Sequence, residues 1–165
     1  MQKFTQKWCI VAFMEPVAEG RVFDWKQWPL HTTLAGVFAV DWDAHDLESQ
    51  LEYIASTQSI VEVTATTDVY WGAGGEYHVM LLEKTPALLE LHMKIHALLY
   101  ECGAVLNDPE FAGDGFVPHS TMQQHAYLKK GEKALLTSFS IIDMFPDQDG
   151  YKRKVVRTLP FGRAH

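Results

Sequence analysis

The chain has 165 residues, 47% of them hydrophobic, enough for one compact core, so one domain built of two small lobes is expected across residues 1–165. Fourteen Lys and Arg against twenty-one Asp and Glu give a net charge of −7, which argues against an unspecific grip on long nucleic acid and favours a small or locally recognised ligand. Two cysteines, Cys9 and Cys102, each inside an apolar stretch, suit reduced buried thiols better than a disulfide framework.

The start, Met1 to Lys7, leads into an apolar run of only about seven residues, too short for a signal peptide core or a membrane span, so a cytoplasmic protein that does not engage membranes is expected. That run, Trp8 to Met14, is closed by Glu15-Pro16 and reads as a central strand. Leu30 to Val40, after Pro29, is rich in Thr, Val and Phe and predicts a second strand carrying His31 and Thr33. A helix follows over residues 44 to 57, capped by Asp43, with Leu47, Leu51 and Ile54 on one stripe. Ile60 to Trp71 alternates apolar and polar residues, and Gly72-Ala73-Gly74-Gly75 turns it into Tyr77 to Lys84 as a hairpin.

Thr85-Pro86 starts a second helix and Gly103 stops it, with Leu88, Leu91, Ile95, Leu98 and Cys102 on its buried stripe. Residues Asn107 to Pro118 form a long loop that delivers the chain into a strand from His119. The last part predicts a short helix near Gly131 to Leu136, a strand over Ser138 to Phe145, a turn at residues 147–150 and a strand over Tyr151 to Leu159.

Two tetrads stand out. Pro29-Leu30-His31-Thr32-Thr33-Leu34 and Val117-Pro118-His119-Ser120-Thr121-Met122 share histidine, a hydroxyl residue, threonine and a large apolar residue, separated by 119 − 31 = 88 positions, about half the chain. Strand side chains alternate, so His31 lies on one face with Thr33, and His119 with Thr121. A duplicated fold would set the two imidazoles on either side of a phosphate, with the hydroxyls bonding its oxygens. In-line attack at phosphorus needs a base for water and an acid for the departing oxygen; imidazole serves both near neutral pH, and no metal or other cofactor is required.

The doubled tetrad, its separation and the order of strands and helices resemble the 2H phosphoesterase superfamily, which includes 2′-5′ RNA ligase-like proteins and cyclic phosphodiesterases. The resemblance covers nearly the whole chain. It implies an α+β bilobal fold, two antiparallel sheets flanked by helices with pseudo-twofold symmetry around a central cleft. His31 and His119 are then the catalytic positions, and Thr33 and Thr121 the phosphate-binding ones. The family usually has an apolar residue between histidine and threonine; Thr32 and Ser120 stand there instead, facing away from the cleft and bearing on packing behind the strands. The expected activity is hydrolysis of a 2′,3′-cyclic or 2′-5′ phosphodiester of a nucleotide or RNA end, by a monomer. A binding module that has lost turnover, and 2′-5′ joining of RNA ends by the same site, are the alternatives.

Other features carry weaker expectations. Phe116, three residues before His119, is the better candidate to stack on a substrate base at the cleft mouth, ahead of Trp28 in the matching place before His31, with a core role as the alternative for each. His92 and His96, four apart on the second helix, are placed at the boundary of its apolar stripe, and a metal site there is not expected because the segment between them lacks the glutamate of the zinc protease motif. His45, His78, His125 and His165 have no evident partner. Lys152, Arg153, Lys154 and Arg157 read as a solvated edge strand blunted by charge.

Overall fold

The computed structural model describes residues 6–162; Met1 to Thr5 and His165 lie outside the described residues. The chain runs β1 (Trp8–Phe13), β2 (Val22–Asp24), β3 (His31–Ala39), α1 (Ala44–Thr57), β4 (Val61–Trp71), β5 (Tyr77–Leu82), α2 (Pro86–Glu101), β6 (Val105–Leu106), β7 (His119–Thr121), β8 (Lys133–Leu136), β9 (Ser138–Asp143) and β10 (Lys152–Pro160). A six-stranded sheet has the order β2-β10-β9-β1-β3-β6 and a four-stranded sheet the order β7-β5-β4-β8, with every pairing antiparallel. This is the α+β, two-sheet architecture that the resemblance implies, and each sheet carries one histidine-x-threonine strand, β3 or β7.

Local chemistry sets the element ends. The Asp43 carboxylate accepts from the Asp46 N–H at 2.8 Å and caps α1, while the Thr85 hydroxyl accepts from the Leu88 N–H at 3.2 Å and caps α2 ahead of Pro86 at its first turn. Gly103, at a φ of 75°, ends α2 in the left-handed region that glycine tolerates. Trp8 to Ala12 of β1 are buried because β3 and β9 flank the strand and both its faces are covered.

The two sheets are not successive halves of the chain. The first is completed after the second has been laid down in sequence, by β9, which returns to lie beside β1, and β10, which pairs with β9; Ile10 pairs with Ile141. The largest apolar cluster draws on both sheets and both helices, including Leu34, Phe38, Leu51, Leu91, Ile95 and Leu136. A smaller cluster of Cys9, Val11, Phe23, Ile142 and Val155 lies on the opposite face of the first sheet. Both cysteines are free; Cys9 is buried, which pushes its thiol up to about 12, whereas Cys102 is half-buried.

Several sequence expectations are corrected. The segment expected as a helix near residues 131–136 is strand β8: Gly131 turns at a φ of 87°, its N–H bonds the Ala65 carbonyl at 2.8 Å, and Val61 to Thr64 of β4 pair with it. Leu136 is buried and its neighbour Leu135 exposed, the two-residue period of a strand. The short strands β2 and β6 have no counterpart in the sequence reading. The basic strand β10 is no edge, since it lies between β2 and β9, and two of its four charges meet carboxylates: Lys152 meets Asp24, and Arg157 meets Glu19 and Glu48. His78 and His125 also have partners, each with a ring nitrogen 2.6 Å from a carboxylate oxygen, of Asp68 and Glu15 respectively.

Candidate active site

β3 and β7 bring the two tetrads together. The Thr32 hydroxyl donates to the His119 carbonyl at 2.8 Å, a bond across 87 positions of sequence that pins the two strands at their motifs. Thr32 is buried behind the cleft, so the polar residue that departs from the family pattern is used as a tie between the sheets. Ser120, in the equivalent place on β7, is equally buried, but its hydroxyl has no hydrogen-bond partner among the described residues.

The two histidines are held in the same way. Nδ1 of His31 lies 2.8 Å from the Pro29 carbonyl, and Nδ1 of His119 lies 2.8 Å from the Val117 carbonyl. A carbonyl only accepts, so in each ring Nδ1 carries the proton and Nε2 is left as the reactive nitrogen, a base when neutral and an acid when protonated. Proline makes each contact possible by fixing the backbone that carries the carbonyl or the residue after it. Each ring also rests against a tryptophan: Trp28 at 4.5 Å from His31, and Trp71 edge-on at 4.6 Å from His119. Trp28 thus packs on the catalytic candidate itself. Thr33 and Thr121 are half-buried, and their registry with Val11 and Val79 matches that of His31 with Phe13 and His119 with Leu81, two residues away in each strand.

Burial holds His31 down to about 4, with the neighbouring His119 adding a smaller push in the same direction; burial also lowers His119. At neutral pH the free protein therefore presents two uncharged imidazoles.

A cavity of about 600 Å³ opens from His119 and Thr33 toward α2 and the long loop. That loop folds as two 3₁₀ turns, Pro109–Phe111 and Gly113–Gly115, and Gly115 sits so close to Glu110 that a Cβ would lie 1.9 Å from its carbonyl oxygen. His92 holds it in place. Its Nδ1–H donates to the Leu34 carbonyl at 2.7 Å, its Nε2 accepts from the Gly113 N–H at 3.0 Å, and its ring lies flat on Phe116 at 3.8 Å.

Phe116 is therefore buried, with one face against an imidazole, and walls the cavity; it is no exposed platform at the cleft mouth. His92 and His96 are fully interior, only 2% and 3% exposed, where the helical wheel places them at a boundary. The sequence reading misses His92 as a site residue; the one signal is a histidine pair at helical spacing on the packed face. Among the described residues no group of three or more His, Cys, Asp or Glu stands ready to hold a metal, and no helix is long and apolar enough to cross a membrane.

No curated protein sequence matches the chain. Among solved structures, TT0787 of Thermus thermophilus superposes with a TM-score of 0.62 at 15% identity, covering 96% of this chain and 100% of that one. A protein described as a phosphoesterase gives 0.60 at 15% identity, covering 96% and 99%. Escherichia coli LigT, solved in complex with 3′-AMP, gives 0.59 at 14% identity, covering 96% and 99%. These likenesses establish the fold. The family model for the 2′-5′ RNA ligase superfamily matches residues 17–140, a span that holds both tetrads and most of the chain, and the protein accordingly belongs to that superfamily, within the 2H phosphoesterases.

Proposed function

We propose that the cleft hydrolyses a 2′,3′-cyclic or 2′-5′ phosphodiester of a nucleotide or RNA end, with His31 and His119 as paired base and acid and with Thr33 and Thr121 binding the phosphate. The observation that carries this reading is the matched pair of imidazoles, each with Nδ1–H fixed on a carbonyl two residues back and Nε2 left to react. That E. coli LigT has been solved with 3′-AMP, ATP and phosphate supports a nucleotide phosphate as ligand here too.

The chemistry follows from the charges. Two neutral imidazoles await an anionic phosphodiester, whose negative charge raises their proton affinity, so one imidazole is protonated in the complex. The neutral ring removes a proton from water as its oxygen bonds phosphorus. The protonated ring gives its proton to the departing ribose oxygen as that P–O bond breaks. Each proton transfer contributes roughly 10²- to 10⁴-fold, and the two threonine hydroxyls, donating to the non-bridging oxygens, stabilise the charge that builds there. The same groups join ends when an RNA 5′-hydroxyl takes the place of water: the neutral ring takes its proton as its oxygen bonds the phosphorus of a 2′,3′-cyclic phosphate, and the protonated ring gives its proton to the departing 3′-oxygen, leaving a 2′-5′ linkage.

The test is turnover of 2′,3′-cyclic nucleotides, cyclic-phosphate RNA ends and 2′-5′ oligonucleotides by chelator-treated protein and by His31→Ala, His119→Ala and the double variant. Each single change should remove most of the turnover, and the double should cost little more, because residues acting as one unit are not additive. Intact turnover in either folded single variant would sink the paired mechanism.

A further inference from the structure

We propose that the cavity beside the catalytic pair is a nucleobase chamber and that His96, in its wall, hydrogen-bonds the base. The inference rests on the reading of the cleft as a phosphoester site and extends it to the part of the substrate that carries no phosphate.

Position and size fit. Thr33 and His119 line the cavity, so the nucleoside of a phosphate held between the strands reaches it without a spacer, and about 600 Å³ lies within the range usual for small-molecule sites. Its chemistry selects against other occupants. No Lys or Arg lines it, and Asp108 is its one acidic residue, so a second phosphate would find no counter-charge. The walls are mostly apolar or aromatic, which suits a flat uncharged heterocycle. Trp71 and Phe111 both line the cavity and are 37% and 64% exposed, leaving aromatic surface free for stacking.

His96 supplies the polar readout. It is 3% exposed, and neither of its ring nitrogens has a hydrogen-bond partner among the described residues. Its neighbour His92, 4.2 Å away between ring centroids, has both nitrogens satisfied, so the fold does provide partners on this helix face where none is reserved for a ligand. Burial holds His96 at about 4, and the neutral ring offers one donor and one acceptor, the combination that the edges of nucleobases present in complement. Both ring nitrogens are shielded as the ring stands, so the bond to a base requires the imidazole to turn about χ2, a broad torsion.

The experiment compares dissociation constants of adenosine 3′-phosphate, cytidine 3′-phosphate and inorganic phosphate for the wild type, His96→Phe and His96→Gln, and follows the His96 imidazole resonance in wild-type protein titrated with free adenosine or cytidine. The wild type should bind the nucleoside phosphates more tightly than phosphate. His96→Phe should cut that advantage about five- to tenfold, the worth of one neutral hydrogen bond, and His96→Gln should restore most of it. An advantage that is the same in wild type and His96→Phe, or a His96 resonance unmoved by nucleoside, overturns the proposal. If inorganic phosphate does not bind while free nucleoside still moves that resonance, the phosphoester reading falls and the chamber stands. If the phenylalanine variant does not fold, the wild-type titration and the glutamine variant decide.

Discussion

Replacing Thr32 by valine tests whether the bond across the back of the cleft sets the geometry of the front. Valine keeps the shape and removes the hydroxyl, so the change deletes the 2.8 Å bond and leaves the His119 carbonyl without that donor. A neutral hydrogen bond contributes about 1 kcal/mol, and a buried acceptor left unpaired costs roughly 1 to 3 kcal/mol. At about 2 to 4 °C per kcal/mol for a chain of this size, the melting temperature should fall by roughly 3 to 10 °C. Turnover at 25 °C, where the variant is still folded, should fall by about tenfold or more, because small displacements of an acid–base pair cost up to about 10²-fold. Ser120→Ala is the internal contrast: its hydroxyl has no partner among the described residues, so removing it should leave stability unchanged or slightly raised. Melting curves and kcat on one cyclic substrate read both variants. The reasoning fails if Thr32→Val keeps its melting temperature and turnover, or if Ser120→Ala loses as much.

Two further outcomes follow from the buried histidines. His92→Leu should free the 109–115 loop by stranding the Gly113 N–H and the Leu34 carbonyl, lowering stability by about 2 to 4 kcal/mol and kcat more than the Michaelis constant; slow hydrogen exchange persisting at Gly113 would contradict the clamp. Stability should also fall on acidification: burial holds His31, His92, His96 and His119 below the ordinary 6.5, so below pH 6.5 the unfolded chain takes up protons that the folded one refuses, and for His31 and His96 it does so down to about 4. The contribution is full above pH 6.5 and, for His31 and His96, lost toward pH 4. His96 alone, shifted from 6.5 to about 4, accounts for about 3 kcal/mol, and a melting temperature flat from pH 7 to 4.5 would refute this.

Much of the fold is legible because its signals are local. Asp43, Thr85-Pro86 and Gly103 mark helix ends by chemistry confined to a few neighbouring residues, and the tetrads show two like strands through residue type and two-residue spacing alone. Features decided by distant partners are not legible. Lys133 to Leu136 is composed of good helix formers and becomes a strand because the edge of β4 is there to pair with it. β10 reads as an edge until β2, three residues long, covers it. The interior placement of His92 depends on a loop 21 residues further on folding back to offer the Gly113 N–H. Thr32 reads as a blemish in a family pattern because its acceptor belongs to the other tetrad.

The return of β9 and β10 to the first sheet leaves one pairing that synthesis delivers late. β1 and β3 can pair early, but the other edge of β1 waits for β9, whose Ile141 must find Ile10 across 141 − 10 = 131 positions of sequence. The second sheet, β4, β5, β7 and β8, lies wholly between those two partners in the chain, so it can assemble while the first is still half built. Until β9 arrives, Trp8 to Phe13 is an apolar strand with one bare hydrogen-bonding edge, the kind of segment that is open to mispairing. Such long-range closure is also slow, which makes the pairing of β9 an expected late step of folding, with β1 alone standing between it and the His31-bearing β3.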